Sequence, residues 1–363
     1  MKWKYLLIFI LLVSIFPLVT YLYFQNRYQK ILVIPNRKID LSPSLAPSPT
    51  PSPDPNRPFS ILLLGYAGYG YDGGFLTDSI ILARISPKIQ EIDLISLPRD
   101  LWVKFPESVI TNHWAKINSA YAVGIDDKKY PNKPIEFTGK AGGGELAKYL
   151  ISHITGIKPD YFIAVDFSGF IKAIDQLGGI DINIPKAFDD QFYPLDIGAT
   201  DTCGKSEEEI VALTATLSGE KLDQQFTCRY ENLHLDKGLQ HLDGATALKY
   251  ARSRHSIIDG GDFNRSQRQK IVLEAVKNKI ISLNFFSKIF PLINTLSNHL
   301  VTDIDQKTIE SYLIRAPEYS RYKINSIAIT DKNFLKMGTS NDGQSILIPK
   351  LGEENYSEIQ ENL

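Results

Sequence analysis

A run of twenty residues without a charged side chain, from Tyr5 to Phe24, places the strongest constraint on how this chain can fold. At 1.5 Å per residue, a helix of this length spans about 30 Å, which matches the hydrocarbon core of a bilayer. A cleaved secretory signal is the alternative, but the run is long for one and no Ala-x-Ala site follows it. We therefore predict one transmembrane helix through residues 5–24, with residues 1–27 as the membrane anchor.

The segment after this run is rich in proline and serine, most densely between Leu41 and Pro58. Such a sequence does not build a core and favours the extended polyproline II conformation of a semi-rigid spacer. Basic residues flank both ends of the apolar run, so charge alone does not orient the chain in the membrane. We predict residues 28–58 to be an extracytoplasmic stalk, which makes this a single-pass protein of the cell membrane.

The charge balance excludes one large class of partners. Lys+Arg is 40 and Asp+Glu is 41, which gives a formal net charge of −1. A nucleic-acid-binding protein normally carries a basic excess, so we expect no nucleic-acid partner. Hydrophobic residues make up 43% of the chain and can supply a sizeable core. Any positively charged site must therefore be local and assembled by the fold.

Short apolar runs alternate with helical patterns between residues 59 and 284, the predicted catalytic domain. This alternation predicts an α/β fold, in which helices cover a central mixed sheet on both faces. Residues 189–234 are predicted to be a polar insertion, and residues 285–363 to complete the domain in a role that the sequence does not define. Predicted strands cover 59–65, 79–85, 91–97, 161–165 and 180–185, and predicted helices cover 145–154, 169–177, the region around 245–248, and a segment from Gly260 through Lys279.

The two cysteines, Cys203 and Cys228, both lie in the predicted insertion. Their spacing does not match a metal site. In an extracytoplasmic domain a disulfide between them is favoured, and two unpaired thiols are the alternative.

Three arginines stand in positions typical of anion binding. Arg99 follows a predicted strand, at the carboxyl end where open α/β sheets place ligands. Arg252 and Arg254 are two residues apart, which puts them on one face of a predicted strand. Neighbouring guanidinium groups repel unless an anion lies between them, and both carboxylate and phosphate fit the guanidinium fork.

The helix predicted after Gly260 adds to this anion site. Arg265 and Gln269 are four apart and share a helix face, and a helix N-terminus favours phosphate oxygens. Lys116 supplies a further cation near another helix start. Together these residues fit a diphosphate, because phosphoryl transfer needs positioned cations to take up charge on the phosphoryl oxygens. Arginine stays protonated, so Asp262, or else neutral His255, is the candidate general base. The alternative is a basic surface in which Asp262 only caps the helix.

Asp72 and Asp78 lie in a glycine-rich loop, Gly65 to Gly74, and just after it. Carboxylates in such a setting suit Mg²⁺ (or Mn²⁺), a hard cation that takes oxygen ligands and keeps several waters. Turn formation alone would also explain Asp72 before Gly73. We predict both aspartates as metal ligands.

The ordered set of motifs resembles the LytR-CpsA-Psr family of cell-wall glycopolymer transferases over roughly residues 59–282. The matching segments are Ile61–Gly65, Leu76–Leu82, Leu94–Asp100, Lys116–Tyr121, Gly178–Pro185, Leu242–Arg254 and Gly261–Gln269.

The resemblance implies an α/β/α sandwich with an apolar tunnel for a polyprenyl chain. It also implies the transfer of a phosphoglycan from a polyprenyl-diphosphate carrier to a peptidoglycan hydroxyl, with formation of a phosphodiester. Asp78 would help to bind Mg²⁺. Asp262 matches a carboxylate of the family's active site. We predict Asp262, Arg99 and Arg254 as the catalytic residues. The residues implied in diphosphate binding are Arg99, Lys116, Arg252, Arg254, Arg265 and Gln269.

The sequence departs from the family pattern in the glycine-rich loop. The family commonly has an aspartate and then an arginine shortly after the glycine of the first strand, where this chain has Tyr66 to Tyr69. The usual arginine before the second aspartate is also absent, with Leu76 nearby. These changes bear on metal affinity more than on diphosphate binding. Two alternative functions stay open: a hydrolase of the same lipid diphosphate, and a non-catalytic lipid-diphosphate binding or envelope scaffold protein.

Overall fold

The structure is a computed structural model, and most of the predicted anchor and stalk lies outside the residues that it describes. Residues 26–31 are helical. Within the described residues, no helix is both long enough and apolar enough to cross a membrane. The described residues are 26–36, 56–71, 73–111, 113–195, 201–218, 220–253, 256, 260–282, 292, 295–319 and 321–363.

A central sheet of six strands in the order β11-β6-β1-β2-β3-β12 forms the middle of the fold. Strand β1 runs antiparallel to β2 and parallel to β6, and β3 runs antiparallel to β2 and parallel to β12. The predicted mixed sheet is thereby confirmed. Its strands are β1 (Phe59–Tyr66), β2 (Thr77–Ser86), β3 (Glu91–Leu97), β6 (Tyr161–Asp166), β11 (Leu300–Thr302) and β12 (Lys323–Ala328).

Four two-stranded ribbons surround the central sheet, and each is antiparallel. They pair β4 (Trp102–Lys104) with β5 (Trp114–Lys116), β7 (Ile180–Ile184) with β10 (Gly238–Leu242), β8 (Phe188–Pro194) with β9 (Tyr230–Leu235), and β13 (Leu335–Thr339) with β14 (Ser345–Pro349).

The helices cover both faces of the sheet, as predicted. They are α1 (Ser119–Ile125), α2 (Gly142–Thr155), α3 (Phe167–Gln176), α4 (Glu207–Thr216), α5 (Glu220–Asp223), α6 (Gly244–Arg252), α7 (Gly261–Ser282), α8 (Gln306–Ile314), α9 (Ala316–Tyr319) and α10 (Ser357–Glu361).

Side chains of the central strands alternate between two apolar layers. In β1, Leu62 and Leu64 are buried in the cluster that contains α1 and α2. Ile61 and Leu63 belong to the opposite layer, where Leu273 of α7 packs. Because both faces are covered, these strands are continuous apolar runs rather than alternating ones, which is why the sequence predicts them well.

A third apolar cluster joins the helices α3, α6 and α7 to the ribbon of β7 and β10. The segment after residue 284 supplies β11 and β12, the two edge strands of the central sheet. The C-terminal residues therefore complete the sheet.

Regular structure extends further into residues 189–234 than the sequence indicates. Phe188 and Tyr193 of β8 are buried beside Leu233 and Leu235 of β9, while the residues between Phe188 and Tyr193 are mostly polar and hide this pattern. Strands β8 and β9 thus lie at the two ends of the predicted polar insertion. Between the two strands, the structure joins Cys203 to Cys228 in a disulfide, next to the solvent-exposed helix α4.

Candidate functional site

A cavity of about 230 Å³ opens at one edge of the central sheet, where β3 ends and the antiparallel β2 begins. Strands β1 and β6 end at the same edge, because β1 is antiparallel to β2 and parallel to β6. The cavity, called here the polar cavity, is lined by Asp78, Ser79, Arg99, Asp190, Phe192, Tyr193, Pro194, Arg252, Ser253, Arg265 and Gln269.

Arg99 and Asp78 form an ion pair across this edge. Arg99 Nη1 lies 2.6 Å from Asp78 Oδ1, and Arg99 Nε lies 3.6 Å from Asp100 Oδ2. Both members of the first pair stay partly exposed to the cavity, which leaves them accessible to a ligand. The pairing of the β2 and β3 ends places two residues 21 positions apart in contact.

Arg252 is the last residue of α6, and not part of a strand as the two-residue spacing to Arg254 indicated. Asp243 caps this helix, since its side chain accepts a hydrogen bond of 2.8 Å from Thr246 N. The segment from Gly244 to Arg252 is rich in alanine and other strong helix formers, and this outweighs the strand interpretation. Arg254 and His255 lie outside the described residues.

Aromatic side chains hold the Arg252 guanidinium in place. Its Cζ lies 4.1 Å from the centre of the Phe167 ring, and its Nη1 donates a hydrogen bond of 3.2 Å to Tyr193 Oη. Stacking on a ring face is favourable for a guanidinium and orients its donors. Phe167 begins α3 and Tyr193 belongs to β8, so two separate segments fix the cation at the end of α6.

Arg265 and Gln269 lie on one face of α7, as their spacing predicts, and both line the polar cavity. They are 7% and 9% exposed. Arg268 has a different part: its Nε donates to Tyr250 O at 3.0 Å and its Nη2 donates to Ser253 O, so it closes the carboxyl end of α6. The backbone of Asp262 lies in the first turn of α7, and its side chain lies outside the part of the protein that the structure describes.

Asp190 is a cavity residue that the sequence did not reveal. It is only 1% exposed, and the Ser253 hydroxyl donates a hydrogen bond to its Oδ2. Its strand β8 lies in the predicted insertion, so no functional signal was expected there. The one sequence signal for an inward-facing Asp190 is its spacing of two residues from Phe188, which places both side chains on the same face of a strand.

Lys116 lines a neighbouring groove rather than the polar cavity. Its Nζ lies 2.9 Å from Asp100 Oδ1, and Asp100 also contacts Arg99. A row of alternating charges therefore leads from Asp78 through Arg99 and Asp100 to Lys116.

A second cavity, of about 190 Å³, adjoins the first and is lined mostly by apolar side chains. Ser79, Arg252 and Gln269 border both cavities. The other residues around this apolar cavity are Leu63, Leu64, Gly65, Ile81, Ile163, Val165, Asp166, Phe167, Phe170, Leu248, Ala251, Val272 and Leu273.

Tyr66, at the position where the family pattern departs, serves the core. Its ring is 6% exposed and stacks on Tyr121 at 5.1 Å and on Phe75 at 5.8 Å. Burial, with a contribution from the Asp166 charge, raises the pKa of Tyr66 to about 12, so it stays neutral. This side chain therefore adds no charge to the loop.

The oxygen donors at the polar cavity fit a hard divalent cation. Asp78 and Asp190 are the carboxylates that line it among the described residues, and Asp72 lies outside them. Mg²⁺ is commonly held by one or two protein carboxylates together with substrate phosphates and water, so the types of donor present are compatible with this ion.

A model of the LytR_cpsA_psr family matches residues 19–363 of the chain. The chain belongs to this family.

Curated relatives of this LytR_cpsA_psr protein include the polyisoprenyl-teichoic acid–peptidoglycan teichoic acid transferase TagV of Bacillus subtilis. It is 29% identical over 78% of this chain and 59% of the relative. Biofilm regulatory protein A of Streptococcus mutans is 28% identical over 69% of this chain and 50% of the relative. The chain thus spans between one half and three fifths of the length of these two relatives.

Solved structures share the fold. The crystal structure of TagV from Bacillus subtilis is 25% identical, covers 85% of this chain and 96% of that chain, and has a TM-score of 0.55. The structure of TagT bound to LIIa-WTA is 21% identical over 84% of this chain and 88% of that chain, with a TM-score of 0.51, and so supports the fold alone.

Proposed function

We propose that this protein is a membrane-anchored phosphotransferase, which moves a phosphoglycan from a polyprenyl-diphosphate carrier to a peptidoglycan hydroxyl. The observation that carries the proposal is the contact between the two cavities through Ser79, Arg252 and Gln269. A lipid diphosphate needs a cationic site for its head and an adjoining apolar space for its chain. The apolar cavity is the described part of the tunnel that the family resemblance implies.

Three arginines supply the charge that phosphoryl transfer requires. Arg99, Arg252 and Arg265 all line the polar cavity and come from three different elements. Because Arg99 and Arg252 are already oriented by Asp78 and by aromatic rings, little reorganisation is needed when charge develops on the phosphoryl oxygens. Fixed donors of this kind are the main catalytic contribution of a protein in such reactions.

In the proposed reaction, the acceptor hydroxyl oxygen attacks the phosphorus that carries the glycan. A new phosphorus–oxygen bond forms, and the bond from that phosphorus to the bridging oxygen breaks. Polyprenyl monophosphate leaves, and Asp262 accepts the proton of the hydroxyl. Arg254 shares the diphosphate with the other arginines, and Lys116 contributes from the neighbouring groove.

Asp78 is proposed to hold Mg²⁺ (or Mn²⁺) together with Asp72, as the sequence predicts, and Asp190 is the other carboxylate of the polar cavity that could supply an oxygen ligand. When bound, the ion would neutralise charge on the phosphate oxygens. The Arg99 guanidinium orients Asp78 for this purpose.

The location follows from the sequence. Residues 5–24 are proposed to span the cell membrane and residues 28–58 to hold the domain outside the cytoplasm. The Cys203–Cys228 disulfide supports an oxidising compartment, where such bonds persist. A relative, TagV of Bacillus subtilis, is a polyisoprenyl-teichoic acid–peptidoglycan teichoic acid transferase, which supports the same class of donor and acceptor.

The test uses the full chain in detergent, a polyprenyl-diphosphate oligosaccharide and peptidoglycan, with Mg²⁺ or a chelator. We expect a phosphodiester-linked product that requires metal and falls at least about a hundredfold in Arg99→Ala, the scale for loss of one oriented charge. Arg57→Ala is the matched control, because Arg57 is exposed and pairs only loosely with Asp160 at 3.7 Å.

Release of free glycan phosphate to water would favour the hydrolase instead. Tight binding of the lipid diphosphate without turnover on any acceptor would favour the non-catalytic binding protein.

A further inference from the structure

A wide groove of about 910 Å³ adjoins the polar cavity on the side of Arg99. It runs between the β4–β5 ribbon and the turn that joins β13 to β14. Its volume lies at the upper end of the range of about 300–1,000 Å³ for small-molecule sites, so it has room for more than one sugar ring. The side chains used below are Trp102, Trp114, Asn341, Asp342 and Gln344, all of which line it.

Two stacked tryptophans line one side of this groove. The Trp102 and Trp114 rings stack with centroids 6.5 Å apart and an angle of 12° between their planes. The register pairs Trp102 with Lys116 and Trp114 with Lys104, which puts both rings on one face of the ribbon. The opposite face carries Val103, which is buried in the core, so the tryptophan face is turned outward. Both rings remain half-exposed.

The opposite wall is a polar turn whose shape is fixed by internal hydrogen bonds. Gln344 Nε2 donates to Asp342 Oδ2 at 2.6 Å, and Ser340 Oγ donates to Asp342 Oδ1. The hydrogen bond from Ser340, followed by the one from Gln344, lowers the pKa of Asp342, which therefore stays ionised. Asn341, beside it, is exposed and carries an amide that can both donate and accept.

Aromatic rings and fixed polar groups that line the same groove match the two kinds of surface on a sugar. A pyranose presents C–H groups on its faces and hydroxyls around its rim, and an aromatic ring face carries the negative potential that attracts C–H groups. Charges of both signs line the groove, since Arg99 and Lys116 stand beside Asp100, Asp342 and Glu353. Because the charges are mixed, the groove favours neither an anionic polymer nor a strongly basic peptide, and it is compatible with an uncharged N-acetylated sugar.

The groove lies next to the site where the proposed phosphoryl transfer takes place. Arg99 lines both the groove and the polar cavity, and the Asp100 carboxylate links it to Lys116. A polymer lying along the tryptophans would thus bring a hydroxyl next to the phosphoryl group held by Arg99.

We infer that this groove is the acceptor subsite, which binds a stretch of glycan strand through Trp102, Trp114 and the β13–β14 turn. The inference rests on the proposed function for the identity of the acceptor. It assigns a binding role to the C-terminal residues 339–344.

Binding is measured on the full chain in detergent without donor, with a soluble β-1,4-linked tetramer of N-acetylglucosamine as the probe. The protein has three tryptophans, and two of them line the groove, so intrinsic fluorescence reports on occupancy. We expect saturable binding that weakens about tenfold or more in Trp102→Ala and in Trp114→Ala, and less in Trp102→Phe, which keeps a ring.

Asn341→Ala tests the other wall without touching the ribbon, so the inference stays testable if the tryptophan variants fail to fold. Met337→Ala is the matched control, because Met337 is 70% exposed on the same hairpin and does not line the groove. We expect Asn341→Ala to raise the acceptor KM several-fold with kcat nearly unchanged, and Met337→Ala to change neither.

The two proposals fail in different ways. Transfer that proceeds with unchanged acceptor KM in Trp102→Ala and Asn341→Ala would overturn the acceptor subsite and leave the transferase standing. Tryptophan-dependent binding of the tetramer by a protein that transfers nothing would overturn the transferase and support a glycan site. Binding of a glycan-free stem peptide in place of the tetramer would overturn the inference.

Discussion

Gln269 Nε2 donates a hydrogen bond of 2.7 Å to Ser79 Oγ, and these two side chains stand where the polar and apolar cavities meet. Gln269 belongs to α7 and Ser79 to β2, so the bond ties a covering helix to the sheet. In the proposed reaction, this is where the diphosphate head passes into the polyprenyl chain.

Gln269→Leu and Ser79→Ala are each expected to lower kcat/KM by up to about tenfold, the value of one neutral hydrogen bond. The double variant should lose little more than either single one, because both remove the same bond. A double-mutant cycle on kcat/KM measures this coupling. Gln267→Leu, on the same helix but outside both cavities, serves as control. Fully additive losses would show that the bond has no functional part.

Arg252→Lys is expected to lose most of the activity, although the charge is kept. Lysine lacks the planar fork, so it can neither stack on the Phe167 ring in the same way nor bind phosphate through two donors. We expect kcat to fall by about 10²-fold or more in steady-state assays. Lys249→Ala, on the same helix and paired with Glu231 at 2.5 Å, should leave kcat unchanged. A fully active Arg252→Lys would mean that only the charge matters.

Leu63→Trp is expected to fill the apolar cavity and weaken the use of long polyprenyl carriers. Leu63 lines that cavity from β1, and added volume there competes with the chain. KM for a long-chain donor should rise, while KM for a donor with a very short chain should stay nearly constant. Ile61→Trp is the control, because Ile61 lies on the same face of β1 but does not line the cavity. It shows the effect of overpacking alone, which lowers the free energy of unfolding by about 1–3 kcal/mol. An equal effect on both donors would contradict this interpretation of the cavity.

Asp243→Ala is expected to lower the free energy of unfolding by about 1 kcal/mol, because Asp243 caps α6. The hydrogen bond from Thr246 N lowers the pKa of Asp243 in the folded state. Its contribution is therefore complete above the unfolded pKa of about 3.9 and is lost as pH falls through the lowered folded value. Urea unfolding at pH 7 and near pH 3 measures this change.

Asp243→Asn provides the control for the cap, since asparagine caps about as well but does not titrate. The difference in stability between Asn and Ala at position 243 should be the same at both pH values. A difference between wild type and Ala that does not shrink in acid would contradict an ionised cap.

Replacement of Cys203 and Cys228 by serine is expected to loosen the insertion without stopping turnover. The disulfide joins two residues that are 25 positions apart. In the chain-entropy model it lowers the conformational entropy of the unfolded chain, and this raises the free energy of unfolding by about 3 kcal/mol. Limited proteolysis should cut faster between these positions, while kcat stays close to that of the wild type. Loss of turnover without faster cleavage would indicate that the insertion has a direct part in catalysis.

Much of the fold follows from local pattern. The predicted strands at 59–65, 79–85 and 91–97 and the helix that includes 145–154 lie within observed elements, because apolar runs and helical spacing report burial directly. Strand β8 was missed, since its exposed face is polar and only alternate residues are buried. The helix α6 is longer than the sequence pattern predicts, because the spacing of Arg252 and Arg254 favours a strand whereas the structure extends the helix to Arg252.

The uncharged N-terminal run, the proline-rich segment, the central strands and the residue types needed for an anion site can all be recognised without a structure. These are properties of neighbouring residues, and periodicity or composition expresses them. Which side chains meet depends instead on how the chain folds. Gln269 and Ser79 are 190 positions apart and in contact, whereas Lys116 lies in the groove and not in the polar cavity. Asp190 enters the cavity for the same reason: sheet pairing and helix packing set such contacts, and no local pattern encodes them.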